Sequence, residues 1–436
     1  MATRPDPMRL GLAALSRLAS SSAVDRLGLR STAERLVYHG ARSGFRVAAV
    51  AGRTFAAVRG TGAPRRPVKA ADTGVFDLTP TEDQQMIVAV VREFAAEVLR
   101  PGARAAEEQN DTPKEVLGQT ADFGLSLLSV PEELGGLSPE RSAVTGVLLA
   151  EALAEGDMGQ AVACLAPAAV ATALSLWGTD AQQRTYLPAF TGGDVPAAAL
   201  AVAEPHVLFD PFELRTTARR TSEGYRLSGV KSAVVRGTEA ELFVVAAALE
   251  DGTSALFLLE PGTLGISLEP DPAMGLRAAG LCRLLLDDVE VAADAVLGGA
   301  EDYRECIRLS RLAWSALALG TARAVLDYVS GYVRTRTAFG EPIAHRQAVA
   351  FMVADIAIEL EGMRLTTLKA ASRVDQGMDA SREIALARRL TGDHGMKIGT
   401  DGVQLLGGHG FVKEHPVERW YRDLRAVGLM EGAVLV

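Results

Sequence analysis

The segment RTAFGEPIAHRQ, residues 336–347, separates two long amphipathic stretches. Apolar residues recur at helical spacing over residues 307–333 before it and over residues 343–374, a stretch that begins within its last five residues. A third stretch of the same kind covers residues 383–407. Three long helices in succession predict a C-terminal helical domain over residues 301–436.

The spacing of the apolar residues changes upstream of this bundle, near residue 196. Short β-prone segments separated by glycine or proline turns lie at residues 225–229, 242–246, 255–259 and 284–291. They predict an antiparallel β domain over residues 196–300. Sequence rich in alanine and leucine precedes it and predicts an N-terminal helical domain over residues 76–195.

The helical domain has a recognisable first helix. Thr79 is predicted as its cap, with Pro80 at the first helical position and Glu82 three residues after the cap. The pattern predicts that Pro101 ends this helix and that its buried face consists of Met86, Val90, Phe94 and Val98.

Composition excludes several classes of protein. The chain has 436 residues, 48% of them hydrophobic and 23% charged, which is a globular balance. Cys164, Cys282 and Cys306 are far apart and form no CxxC pair, so we expect neither a disulfide framework nor a metal site. The sequence has no signal-peptide pattern and no run of eighteen apolar residues, which favours a cytoplasmic protein.

The N-terminal 75 residues differ in charge from the rest of the chain. Residues 1–70 hold thirteen Lys and Arg against three acidic residues, whereas the whole chain has a formal net charge of −9. Leucines and phenylalanines alternate with the arginines at roughly helical spacing, as in basic amphipathic helices. This extension is predicted either to contact an anionic membrane surface or a partner, or to fold back on the acidic body. No recognition motif for nucleic acid accompanies the charge.

Further motifs follow the opening segment in order. They are residues 404–411, QLLGGHGF, residues 416–423, PVERWYRD, and Glu431-Gly432. With RTAFGEPI and the upstream PEELGG at residues 131–136, this series resembles the acyl-CoA dehydrogenase family over residues 76–436. The resemblance implies an α+β, mainly α fold, with an N-terminal helical domain, a middle antiparallel β domain and a C-terminal four-helix bundle.

The same resemblance implies an activity. In that family a carboxylate removes the α proton of an acyl-CoA thioester while hydride leaves the β carbon for FAD. Glu431 lies where one branch of the family places this base, although an isolated acidic residue in such a position is more often a solvated charge. The other branch places the base at the position of Ser310, which cannot serve. Arg311 matches an arginine near the acyl-CoA site, or else forms a structural ion pair.

The resemblance also assigns residues to the adenosine side of FAD. Arg336 would bind the pyrophosphate through its planar donor fork, although an exposed ion pair at a helix end is the alternative. Gly407 and Gly408 would allow close backbone approach, or would simply terminate a helix. The full set predicted to bind the cofactor is Arg336, Thr337, Phe339, Gln347, Gln404, Gly407 and Gly408.

The ring side departs from the family pattern. The loop usually written Thr-Glu-Pro-Gly-x-Gly-Ser-Asp reads AEPHVLFD at residues 203–210, and Trp-Ile-Thr is replaced at residues 233–235 by AVV. Ala433 replaces the usual threonine after Glu-Gly. The leading expectation is an FAD-dependent acyl-CoA dehydrogenase that forms a homo- or hetero-oligomer, a dimer or tetramer, and passes electrons to an electron-transfer flavoprotein. The alternatives are a flavin-poor subunit of a heteromeric dehydrogenase and a membrane-tethered scaffold of the same fold.

Overall fold

A computed structural model describes residues 78–122, 124–137 and 141–436. The basic extension at residues 1–75 lies outside the described residues. From residue 78 onward, helical elements are followed by a sheet and then by long helices. This order agrees with the predicted fold class.

The first helical region contains six helices among the described residues. They are α1 (Glu82–Phe94), α2 (Arg100–Gln109), α3 (Lys114–Asp122), α4 (Ala143–Gly156), α5 (Met158–Trp177) and α6 (Asp180–Tyr186). Helix α5 is long and apolar enough to cross a membrane, but 83% of its most apolar window is buried in the protein. It therefore serves as a core helix of this region.

Helix α1 begins two residues later than predicted. Thr81, and not Thr79, is its cap, and its hydroxyl accepts a hydrogen bond from Gln84 N in a capping box. The predicted buried face was also wrong in part, because Met86 and Val90 are 64% and 47% exposed. Val88 and Val91, on the neighbouring face, are buried with Phe94.

Pro101 does not end the helical path. One turn of π-helix at Ala95–Leu99 joins α1 to α2, and Pro101 lies in the first turn of α2. A proline is tolerated in a first helical turn, where its missing N–H needs no partner.

The middle region is one mixed sheet. Its strands are β1 (Ala198–Ala201), β2 (Thr217–Arg220), β3 (Gly224–Val235), β4 (Leu242–Leu249), β5 (Ser254–Leu259), β6 (Ile266–Pro270), β7 (Leu281–Ala292) and β8 (Val296–Leu297). The strand order is β6-β7-β3-β2-β4-β5-β8, and β1 also pairs with β4. Most pairs are antiparallel, as expected, but β4 runs parallel to β1 and β2. The sheet is therefore mixed, with β4 almost wholly buried.

Long helices form the C-terminal region. They are α7 (Ala300–Thr335), α8 (Gln347–Asp375), α9 (Ser381–Leu406) and α10 (Val417–Val427), with a short hairpin of β9 (Thr337–Ala338) and β10 (Glu341–Pro342) between α7 and α8. Helix α7 packs against α4, α8 and α9. Gly320 permits the approach to α4, because an ideal Cβ there would lie 2.0 Å from the Glu151 carbonyl oxygen.

Candidate active site

Glu431 lies in the segment that follows α10. The next residue, Gly432, has a φ of +72°, which turns the backbone sharply after Glu431. The Gly432 carbonyl accepts hydrogen bonds from Ser310 Oγ at 2.8 Å and Trp314 Nε1 at 2.9 Å, both on α7. Ser310, which we had excluded as a base, thus helps to position the residue that follows Glu431. Two donors on one rigid helix fix this turn.

The carboxylate of Glu431 is ion-paired with Arg311. Arg311 Nη2 donates to Oε1 at 2.8 Å, and its Nε lies 2.9 Å from Oε1 and 3.1 Å from Oε2. Only 8% of the Glu431 side chain is exposed, against 28% for Arg311. The structure thus brings together the two residues that the resemblance assigned to catalysis and substrate binding. Glu431 is an ordered, nearly buried carboxylate and not a solvated charge.

A second arginine at this site was missed by the sequence analysis. Arg388 Nη2 lies 3.8 Å from Glu431 Oε1 and donates to the Met430 carbonyl at 2.5 Å. Burial lowers the pKa of Arg388 to about 10, and the Glu431 carboxylate opposes that shift. Its position in the buried stripe of α9 with Ile384 and Thr391 was a usable signal. Glu431 therefore lies between two guanidinium groups.

Phe212, paired with Tyr303, lies against the Arg311 guanidinium. Phe212 lies with its ring 5.7 Å from the Arg311 guanidinium carbon and 6.4 Å from the Tyr303 ring. Tyr303 Oη donates to the Pro211 carbonyl at 2.5 Å, which ties the loop carrying Phe212 to α7. This contact reduces solvent access to Arg311 and strengthens its pairing with Glu431.

A buried ion pair anchors the other end of that loop. Lys231 Nζ donates to Glu204 Oε1 at 2.8 Å and to the Val202 carbonyl at 3.1 Å, and its side chain is wholly buried. Burial lowers the pKa of Lys231 to about 8, although Glu204 opposes that shift. Burial alone would raise the pKa of Glu204, but Lys231 and two backbone N–H donors outweigh it and lower the pKa. The strand that carries Lys231 contains a bulge and its buried positions do not alternate regularly, so no local pattern marks this residue.

The residues predicted for the adenosine side lie on an exposed surface. All seven are exposed: Arg336, Thr337, Phe339, Gln347, Gln404, Gly407 and Gly408. Phe339 is 95% exposed, and no atom lies within 4 Å of an ideal Cβ at Gly407 or Gly408. Tyr332 Oη lies 3.2 Å from His409 Nδ1, which places the ends of α7 and α9 side by side. Open glycines, an exposed ring and an exposed guanidinium fit the adenosine and pyrophosphate parts of a dinucleotide.

This surface is remote from Glu431. Arg311 lies on α7, and Arg336 is the residue that caps the C-terminal end of this helix. The 25 residues from one to the other correspond to about 37 Å at 1.5 Å per residue. One bound dinucleotide therefore cannot contact both groups of residues within one chain.

The ring side is packed by the chain itself. Ala433 N donates to the Leu200 carbonyl of β1 at 3.2 Å, and an ideal Cβ on Gly432 would lie 2.6 Å from Val202 Cγ2. The backbone after Glu431 thus touches β1 directly, with no layer between them. The segment after Glu431 is thus closed against β1 at this point, whereas the adenosine-side residues are exposed and fit their part of the cofactor.

Comparison with known proteins covers nearly all of the described chain. Models of the acyl-CoA dehydrogenase N-terminal, middle and C-terminal domains match residues 81–194, 199–289 and 298–434. An acyl-CoA dehydrogenase of Bacillus subtilis is 30% identical over 362 residues, which are 81% of this chain and 95% of that protein.

Solved structures agree with these matches. The butyryl-CoA dehydrogenase of Megasphaera elsdenii superposes with a TM-score of 0.74 at 28% identity, covering 81% of this chain and 95% of that one. A structure described as the electron transferring flavoprotein of Acidaminococcus fermentans gives a TM-score of 0.75 at 29% identity, covering 82% and 96%. The resemblance drawn from the motifs is confirmed, and the chain belongs to the acyl-CoA dehydrogenase family of FAD-dependent oxidoreductases.

Proposed function

We propose that the chain desaturates an acyl-CoA thioester between its α and β carbons, with Glu431 as the base that removes the α proton. The observation that carries this proposal is the placement of Glu431, an 8% exposed carboxylate fixed by the Gly432 carbonyl against α7. A base must be held in register with its proton and shielded from water, and this carboxylate meets both needs. When bound, FAD supplies the acceptor of the β hydride.

Arg311 is proposed to act with Glu431. Its N–H groups hold the carboxylate in one orientation before proton transfer. When Glu431 takes the α proton it becomes neutral, and the ion pair weakens. The freed N–H groups of Arg311 are then donors for the negative charge that develops on the thioester oxygen.

The distance along α7 supports assembly with other subunits. Since Arg336 and Glu431 cannot serve the same cofactor in one chain, we propose that the adenosine-side surface completes the flavin site of a neighbouring subunit. The proposal includes a dimer or tetramer, homomeric or heteromeric, with an electron-transfer flavoprotein as electron acceptor. A cytoplasmic location stays a prediction. Peripheral membrane contact through residues 1–70 is also a prediction, and vesicle binding with and without those residues would test it.

A flavin-poor subunit of a heteromer is the second candidate function. The direct contact of Gly432 and Ala433 with β1 favours it, because the chain's own ring side is filled while its adenosine side is open. The visible spectrum of the chain purified alone separates the two candidates. One flavin per subunit contradicts the second candidate, and flavin that appears only with a co-expressed family member supports it.

Replacing Glu431 tests the base. In Glu431→Gln the amide keeps the size of the side chain but cannot accept the α proton, so turnover of octanoyl-CoA should fall by about 10²- to 10⁴-fold. Dye reduction by the substrate-reduced protein measures that turnover. Glu414→Gln, at an exposed position, is the matched control and should retain full activity. Turnover retained in Glu431→Gln would remove Glu431 from the mechanism.

A further inference from the structure

The four residues that follow Gly432 are buried inside the protein. Ala433 and Val434 are 2% and 0% exposed, and Leu435 and Val436 are 7% and 6% exposed. Val434 and Val436 belong to the apolar cluster that joins α4, α5 and α7, whereas Leu435 belongs to the cluster shared by α5, α7 and the sheet. This segment, residues 433–436, therefore fills apolar space between helices and sheet.

Backbone contacts hold both ends of the segment. Ala433 N donates to the Leu200 carbonyl, and Arg141 donates to the Val436 carbonyl. The far end also lies close to α4, because an ideal Cβ on Gly146 would be 3.0 Å from Val436 Cβ. The segment thus runs from β1, beside Glu431, to the N-terminal part of α4.

The docked segment contains backbone strain. Ala433 has a φ of +67°, a conformation that a residue with a Cβ rarely adopts. Gly432 just before it also has a positive φ and is pressed against Val202. Strained backbone adjoining a reactive carboxylate is typical of segments with a second conformation.

The buried space continues beyond the segment. A cavity of about 270 Å³ is bounded by Leu435 and Val436, and its lining combines apolar side chains, such as Leu128 and Leu149, with charged ones, Asp83 and Arg141. These apolar side chains would suit the end of a hydrocarbon chain. Leu435 and Val436, which form part of its wall, follow Glu431 by four and five residues.

A thioester whose α carbon lies at Glu431 must place its acyl chain somewhere. The coenzyme A part is highly polar and must reach solvent, so the acyl chain must extend into apolar protein. Residues 433–436, which directly follow Glu431-Gly432, fill apolar volume next to that carboxylate. The acyl chain and residues 433–436 therefore require the same volume.

We propose that residues 433–436 are a removable internal plug of the acyl-binding space, so that docking of this segment and binding of an acyl chain at Glu431 exclude each other. The inference rests on the proposed function. It makes the segment a determinant of acyl specificity, because a longer acyl chain must displace more of it. Only molecules whose plug is undocked can bind such a substrate, so its apparent affinity falls in proportion to the undocked fraction.

Hydrogen exchange of the wild-type chain tests the plug directly. Saturation with octanoyl-CoA should increase amide exchange at residues 433–436, whereas free coenzyme A, which lacks the acyl chain, should leave those amides protected. Protection that persists while octanoyl-CoA is bound overturns the plug and leaves the proposed function intact. Failure of any acyl-CoA to bind, in the wild type and in the variant below, overturns both.

A variant gives an independent measure. In Leu435→Glu the charged side chain cannot stay in its apolar cluster, so the segment should undock. Octanoyl-CoA should then bind about tenfold tighter or better, with a smaller gain for butyryl-CoA. Leu429→Glu, at a 63% exposed position shortly before Glu431 and outside the segment, is the matched control and should bind both ligands as the wild type does. An equal or weaker affinity for octanoyl-CoA in Leu435→Glu would overturn the plug.

Discussion

Replacement of Gly432 by alanine probes the contact between the candidate base and strand β1. Gly432 has a φ of +72°, and an ideal Cβ there would lie 2.6 Å from Cγ2 and 2.8 Å from Cβ of Val202. Its carbonyl is held by Ser310 and Trp314, so the backbone cannot turn away without breaking two hydrogen bonds. The added methyl group must therefore either displace Val202 or undock the segment.

Two terms determine the size of the effect. The left-handed conformation costs an alanine about 1–2 kcal/mol more than a glycine. Forcing a methyl group into a packed contact adds about 1–3 kcal/mol. Gly432→Ala should therefore lower the free energy of unfolding by about 2–5 kcal/mol. The second term should largely disappear when Val202→Ala removes the atoms in the way, so the double variant should be about 1–3 kcal/mol more stable than the sum of the single variants predicts.

Equilibrium unfolding in urea, with both single variants and the double variant, measures this coupling. Gly428→Ala is the control, because Gly428 has a φ of −73° and no atom lies within 4 Å of its ideal Cβ. That variant should be neutral or slightly stabilising. Additivity of Gly432→Ala and Val202→Ala within about 0.5 kcal/mol would show that Gly432 does not pack against β1, and would refute the account of the ring side.

Two further predictions concern buried charges. Burial, and to a smaller extent the nearby Asp157, raises the pKa of Asp423 to about 7. The folded state therefore retains a proton that the unfolded state has lost, and the free energy of unfolding should fall as the pH rises from about 4 to about 7. Asp423→Asn should remove this part of the slope of Tm against pH, and an unchanged slope would contradict the assignment. Lys231→Met leaves the Glu204 carboxylate buried without its cation, which should lower the free energy of unfolding by about 3–5 kcal/mol in urea titrations. Adding Glu204→Gln should recover most of that loss, whereas a loss below about 1 kcal/mol in Lys231→Met alone would show that the pair is dispensable.

The spacing of apolar residues predicted where the helices lie better than it predicted which of their faces are buried. The three long C-terminal helices follow from apolar spacing alone, because a helix of this length must bury one side. In the alanine-rich first region the same reasoning selected Met86 and Val90, which are exposed. Small residues such as Ala95, buried on the neighbouring face, carry little signal in a hydrophobic pattern although they allow close helix packing.

The residues of the candidate site fall into two groups, those that sequence motifs identified and those that only the structure revealed. Glu431 and Arg311 were identified by their places in ordered motifs, and their contact was not needed to find them. Arg388 and Lys231 were missed because a single cation in an apolar stretch has no motif, and only its partner reveals its role. Their partners lie 43 and 27 residues away in sequence, beyond the reach of any periodicity.

By itself the sequence determined the order of helices and strands and the family, and it selected Glu431 as the candidate base, because these depend on local periodicity and on motifs that can be read along the chain. Only the tertiary structure decided what surrounds that base. Arg311 meets Glu431 across 120 residues, and residues 433–436 pack between β1 and α4, hundreds of residues upstream. Such contacts arise from the packing of whole domains, in which burial of apolar surface brings together segments that carry no local record of each other.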